Sequence, residues 1–221
     1  MKYPSQFIKK EQVAEQTYEY FFSKPDGFSY EAGQFISLYL DDVLYEFTLV
    51  SSPTADHLSI ATRLRGSEFK QRLHKLKPDE RVEIEGPFGQ FILHKQDTPI
   101  IFIAGGVGIT PFMSMIRSGL KDATVFYSFR TRADALYLNS LSMEDINVIP
   151  SITREKEVDN WAGEYGRITP ELLQSKLSPD QLQGGVFYLS GSPSFVNDMM
   201  ELVTDLGVNE ERIRVDSFAG Y

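Results

Sequence analysis

The sequence has 221 residues, 42% of them hydrophobic and 24% charged, a balance ordinary for a soluble globular chain. That length suits one large domain or two of about 100 residues each, both able to bury a core. A formal net charge of −9 argues against nucleic acid or an anionic membrane surface as partner, and the absence of cysteine excludes disulfides, thiolate metal sites and an iron–sulfur cluster held by this chain.

Residues 1 to 95 read as short strands. Segments 34–40, 44–50, 58–63 and 81–85 are the candidates, most of them rich in β-branched and aromatic residues, with turn signals at Pro25-Asp26-Gly27 and Gly86-Pro87. In 81–85 the apolar Val82 and Ile84 alternate with charges, as a half-buried strand requires. One helix interrupts, because Phe69, Leu73 and Leu76 fall at i, i+4 and i+7 behind Gly66-Ser67. Short strands with one helix predict a small antiparallel barrel. A linker is expected near residues 93–98.

From Pro99 strands alternate with helices. The stretch from Pro99 to Phe112 reads as an apolar strand, a turn of three glycines (Gly105, Gly106, Gly108), and a helix opened by Thr110 as N-cap and Pro111 as first helical residue. Glycines let backbone approach a ligand, and a helix N-terminus offers free N–H donors to an anion, so the turn suits a nucleotide pyrophosphate. A plain strand–helix connection is the competing reading. Segments 124–128, 147–152, 186–190 and 212–215 are further strands. After Gly191, Phe195, Met199, Leu202, Val203 and Leu206 form one apolar helix face, with Pro193 near its start and Gly207 at its end. This alternation predicts a parallel sheet with helices on both faces.

His57, His74 and His94 stand singly, without metal-ligand spacing, so no metal site is expected. With no N-terminal signal pattern and no apolar run near about 18 residues, the chain is expected to be a cytoplasmic monomer without a membrane segment.

Seven segments in order resemble the ferredoxin–NADP reductase superfamily. Tyr45-Glu46-Phe47-Thr48 is similar to its flavin motif, Arg-x-aromatic-Ser/Thr, and Arg65-Gly66-Ser67-Glu68-Phe69-Lys70 to the helix that caps the flavin pyrophosphate. Glu85-Gly-Pro-Phe-Gly-Gln-Phe91 resembles the barrel-closing segment, and residues 105–111 the pyridine-nucleotide turn. Tyr127-Ser-Phe-Arg-Thr131 is similar to the adenosine-ribose segment. Leu189-Ser-Gly-Ser-Pro193 stands where the family has Cys-Gly-Pro, and Asp216-Ser-Phe-Ala-Gly-Tyr221 resembles the terminal acid-x-aromatic end.

The resemblance implies a β-barrel domain over 1–95 that binds FAD and an α/β domain over 96–221 that binds NAD(P)H. It implies that hydride passes from NAD(P)H to FAD, and electrons then to a separate acceptor such as ferredoxin or flavodoxin. Phe47 would lie against the isoalloxazine, although a strand aromatic in the core is the plainer reading. Thr48 would offer its hydroxyl to flavin N5. The amides of Gly66 and Ser67, with Arg63 nearby, would meet the flavin phosphates, and Gly105, Gly106, Gly108 and Thr110 the nucleotide pyrophosphate. Arg130 is placed for the adenosine end; with Arg132 beside it and no acid between 128 and 132, the segment points to NADPH. Ser190 and Thr48 would line the transfer site, with Asp216 relaying protons or orienting Ser190. Phe218 or Tyr221 would cover the flavin.

Two positions depart from the family pattern. Tyr45 replaces the arginine that neutralises the flavin diphosphate, which leaves FAD and FMN both open, and Ser190 replaces the cysteine near the nicotinamide. Two alternatives follow: a reductase taking free flavin as substrate, or a non-catalytic assembly component that kept the fold. The basic segment from Arg63 to Lys77 is the expected docking surface for an acidic acceptor.

Overall fold

The computed structural model describes residues 2–41, 43–94, 96–142, 145–156 and 158–218. They fall into two compact units: residues 1–93 with 110–119, and residues 94–109 with 120–221.

The first unit contains strands β1 (Lys2–Ala14), β2 (Thr17–Ser23), β3 (Phe35–Leu40), β4 (Val43–Thr48), β5 (His57–Arg63) and β6 (Arg81–Phe88), with helix α1 (Glu68–His74) before β6. The strands form one antiparallel sheet in the order β4-β3-β6-β1-β2-β5. An antiparallel bridge between Leu49 and Ile60, with the Val50 N–H donating to the Ser59 carbonyl at 2.8 Å, joins the two edges. The sheet thus closes as a barrel and leaves no long unpaired edge. Alternation sends Tyr20, Phe22, Ile36, Leu38, Leu58, Ile60 and Ile84 inward, and α1 adds Phe69 and Leu73 to the same core. The strands β1 and β2 were not among the sequence candidates.

Helix α2 (Thr110–Arg117) belongs to this first unit, although it follows the glycine turn in sequence. Its polar side chains explain the grouping. The Ser114 hydroxyl donates to the Ser51 carbonyl at 2.7 Å, and the Arg117 guanidinium meets both oxygens of Glu19 at 2.7 and 3.2 Å. Glu19 is only 2% exposed and also accepts from the Ser59 hydroxyl at 2.6 Å, so its buried charge is paired and hydrogen-bonded.

The second unit carries β7 (Ile100–Gly105), β8 (Ala123–Phe129), β9 (Asn147–Ile152), β10 (Glu164–Tyr165), β11 (Val186–Gly191) and β12 (Ile213–Ser217). All pair in parallel in the order β10-β9-β8-β7-β11-β12. Helices α3 (Leu138–Leu141), α4 (Pro170–Lys176), α5 (Pro179–Gly184) and α6 (Pro193–Asp205) connect them. Val196, Met199 and Val203 of α6 join Ile101, Phe126, Phe187 and Leu189 in one apolar cluster. Strand order reverses between β7 and β11. At such a switch point the carboxyl ends of the strands open a crevice that binds ligands.

Candidate functional site

In the barrel, Tyr45 and Phe47 alternate with Thr48 along β4, and α1 packs beside them. The Tyr45 ring stacks on Phe69 with centroids 4.5 Å apart, and its hydroxyl accepts a hydrogen bond from Ser67 at 3.1 Å. Phe47 lies 6.0 Å from Phe69 and is 8% exposed, so it is the core strand aromatic. Tyr45 is the more exposed aromatic of the two, at 37%.

The Thr48 hydroxyl oxygen is buried and has no hydrogen-bond partner among the described residues. A hydroxyl in that state costs about 1–3 kcal/mol, so a native site with one calls for an explanation.

Gly66 adopts φ +52°, with open space where a Cβ would stand. The Ser67 N–H, expected to face a phosphate, instead turns back onto the Arg65 carbonyl at 2.6 Å, while the Ser67 side chain caps α1. Arg63 is half-buried at the end of β5 and Arg65 is exposed. The basic segment is smaller than its sequence suggests: Lys70 is 6% exposed, and Arg72 pairs with Glu80 and with Asp41. Burial lowers the Lys70 amine. Arg65, Lys75 and Lys77 remain as exposed cations.

In the second unit the three glycines have different reasons to be glycine. A Cβ on Gly105 would lie 2.8 Å from the Phe195 ring, and one on Gly108 would lie 2.3 Å from the Ser190 carbonyl oxygen. Those two positions are fixed by internal packing. Gly106 has φ +54° and nothing within 4 Å, so it alone presents bare backbone to open space. The turn winds directly into a 3₁₀ stretch (Gly106–Ile109) that continues as α2. Thr110 is therefore a helical residue, 3% exposed, and not an open N-cap.

Ser190, next to last in β11, is fully buried, and its hydroxyl also has no partner among the described residues. Asp216 is its register neighbour on β12. No hydrogen bond joins their side chains, so Asp216 does not orient Ser190 by direct contact. Burial pushes the Asp216 carboxyl up to about 6. The Phe218 N–H donates to the Gly191 carbonyl at 3.0 Å, which extends the β11–β12 pairing past the strand end. Tyr221 lies outside the described residues.

At the far ends of β8 and β9, the Arg132 guanidinium donates to the Asp159 carbonyl at 2.9 Å, while Arg130 is exposed. Two carboxylates reach the same segment from outside 128–132. Asp134 accepts from the Thr131 amide and hydroxyl at 3.2 and 2.9 Å, and Glu155 accepts from the Arg132 amide at 2.7 Å. The chain order hides Glu155, which arrives through the parallel register of β9 beside β8. Trp161 packs edge-on against Phe129 with centroids 5.9 Å apart and donates its indole N–H to the Glu164 carbonyl at 3.1 Å.

The model of an oxidoreductase NAD-binding domain matches residues 102–201, the strand–turn–helix array just described. That match lies wholly in the α/β half of the sequence. Among curated proteins it is 27% identical over 183 residues to one component of the Na(+)-translocating NADH-quinone reductase of Idiomarina loihiensis, covering 77% of this chain and 44% of that protein. It is 32% identical over 160 residues to the same component in Yersinia pestis, covering 66% of this chain and 39% of that protein. The chain thus spans under half the length of these relatives. Two solved structures share the fold of this chain. The FAD/NAD-binding domain of a nitric oxide dioxygenase from Vibrio cholerae superposes with TM-score 0.86 at 18% identity, and 98% of each chain is covered. A ferredoxin NADP+ reductase from Neisseria gonorrhoeae, solved with FAD and NADP, gives TM-score 0.80 at 20% identity, again over 98% of each chain. No helix among the described residues is long and apolar enough to cross a membrane.

Proposed function

We propose that this chain is an NAD(P)H-dependent flavoprotein reductase whose nucleotide enters at the β7–β11 switch point and whose flavin is held by the barrel. The observation that carries the reading is a pair of buried hydroxyls, Thr48 in one unit and Ser190 in the other, neither with a protein partner among the described residues. Each stands at the position where the family motif supplies a polar group to the reacting rings.

The residues present fit a flavin. Thr48 offers an unsatisfied hydroxyl, Tyr45 a partly exposed aromatic ring, and Gly66 an open left-handed turn beside Arg63 and Arg65. Bound FAD supplies a two-electron acceptor for hydride that can release electrons singly to a further acceptor. The chain's own work is to hold and orient. Thr48 directs a hydrogen bond at the flavin ring, and Tyr45 offers its face to a flat aromatic group. Gly106 would let the pyrophosphate approach backbone, and the Ser190 hydroxyl would be free to meet the nicotinamide. Asp216, with its carboxyl near 6, holds a proton beside that site in acid and releases it as the pH rises through about 6.

The acceptor of the electrons would be a partner protein such as a ferredoxin or flavodoxin, or a quinone-reducing assembly like that of the curated relatives. The exposed cations Arg65, Lys75 and Lys77 support docking of an acidic partner. Loss of acceptor reduction with rising salt supports that docking, and indifference to salt removes it.

A second reading has a specific basis. With Tyr45 in the arginine position and the Ser67 amide turned away, few groups meet a diphosphate, which favours flavin as a substrate that comes and goes. The visible spectrum of the purified protein, with chromatography of flavin released on boiling, decides between them. Yellow protein releasing FAD supports the resident cofactor. Colourless protein that oxidises NADH only with added flavin selects the second reading, and inertness with flavin supplied rejects both.

A further inference from the structure

The pyrophosphate turn lies at the end of β7, between β8 on one side and β11 on the other. A dinucleotide crossing that point puts one half over each neighbour. The unpartnered Ser190 hydroxyl marks the β11 side for the nicotinamide, which leaves the ends of β8 and β9 for the adenosine. Pairing continues there beyond the strands proper. The Thr153 and Arg154 amides donate to the Phe129 and Arg130 carbonyls at 2.9 and 2.8 Å, and the chain then delivers Glu155 to the Arg132 amide.

Resting on the nucleotide-binding reading above, we infer that Glu155 is the residue that selects the nucleotide: its carboxylate accepts a hydrogen bond from the ribose 2′-hydroxyl and repels a 2′-phosphate, so the donor is NADH. One Glu155 oxygen is fixed by the Arg132 amide, and the other makes no hydrogen bond among the described residues. Half-buried and anchored, this carboxylate holds its place, and Asp134 adds a second negative group within the same turn. The cations of the segment are differently placed. Arg132 is tied to the Asp159 carbonyl, while Arg130 and Arg154 are exposed side chains whose charge solvent screens. A phosphate brought against fixed carboxylates meets like charge, whereas a hydroxyl donates to them.

The test uses the adenosine half alone, so that it is independent of flavin and of turnover. Calorimetric titration of the full chain with ADP-ribose and with 2′-phospho-ADP-ribose measures the preference, and fluorescence of Trp161, the chain's one tryptophan, reports binding beside Phe129. The wild type binds ADP-ribose at least about tenfold more tightly. Glu155→Gln keeps an acceptor for the Arg132 amide but removes the charge. It shrinks that preference about tenfold, chiefly by improving binding of the 2′-phosphorylated ligand. Equal or tighter binding of 2′-phospho-ADP-ribose by the wild type overturns the inference. So does a Glu155→Gln variant with an unchanged ratio, or a ratio that moves only in Arg130→Ala. If neither ligand binds, the nucleotide site and this inference fall together. If ADP-ribose binds selectively but NADH never reduces flavin, only the reductase reading fails.

Discussion

The Tyr45 ring stacks on Phe69 at 4.5 Å between centroids, with 23° between the planes, at the position where the family motif has an arginine. Strand β4 and helix α1 are thus joined by an aromatic pair and by the Ser67–Tyr45 hydrogen bond, with no cation at that position. Tyr45→Arg gives up a stacking contact worth about 0.5–1.5 kcal/mol and gains a charge-assisted hydrogen bond worth about 1.5–3 kcal/mol to a diphosphate. FAD binding to the apoprotein should tighten by about tenfold, while the melting temperature falls slightly. Fluorescence titration checks this. Unchanged or weaker affinity would place the phosphates elsewhere.

The glycines of the nucleotide turn should respond unequally. Gly108→Ala drives a Cβ into the Ser190 backbone and should cost about 1–3 kcal/mol in denaturant unfolding. Gly106→Ala meets no neighbour but must hold a left-handed conformation, at about 1 kcal/mol, and its methyl stands where a ligand approaches. It should weaken ADP-ribose binding more than it weakens the fold. Equal losses of stability in the two variants would contradict this assignment.

Asp216 gives a pH dependence with a defined sign. Its carboxyl titrates near 6 in the folded chain and near about 4 when unfolded, so the native state binds the proton more tightly. Its contribution to stability is therefore greatest in acid and is lost as pH rises from about 4 to 6. Asp216→Asn should make the protein about 1–2 kcal/mol more stable than wild type at pH 7, after allowance for partial exposure, with the difference vanishing below about pH 4. Thermal melts across that range decide it; a gap that widens in acid would be the wrong sign.

Arg117 and Glu19 form the most buried ion pair described in the barrel unit. Arg117→Met strands a carboxylate with 3% side-chain exposure, and the expected loss is about 3–5 kcal/mol. Adding Glu19→Gln should recover most of it. A single variant as stable as wild type would mean that the pair does not hold α2 to the barrel unit.

Much of the fold was legible, for physical reasons that vary along the chain. Strand β9 was delimited from sequence because β-branched residues stand between clear turn signals, and α6 because Ser192-Pro193 and Gly207 mark its ends. Strand β1 escaped notice because Lys9, Lys10, Glu11 and Gln12 break its alternation where two irregularities shift the register. Helices α4 and α5 were missed although Thr169-Pro170 and Ser178-Pro179 carry the same cap-then-proline signal as α6. In the site, Thr48 and Ser190 could be named from motif position, but their lack of partners is a property of the packing. Glu155 was invisible because strand register brings it to a residue 23 positions away.

If the buried hydroxyls of Thr48 and Ser190 serve a flavin and a nicotinamide, anaerobic stopped-flow mixing of FAD-loaded protein with NADH and with NADPH will show it, for wild type, Thr48→Val and Ser190→Ala. Flavin absorbance should bleach in the wild type and bleach about tenfold or more slowly in each variant, equivalent to about 1.4 kcal/mol of lost transition-state stabilisation. Both variant apoproteins should keep their stability or gain about 1 kcal/mol, because a buried hydroxyl without a partner is gone. No bleaching with either nucleotide, or variants that reduce flavin as fast as wild type, would rule out this role for the two hydroxyls.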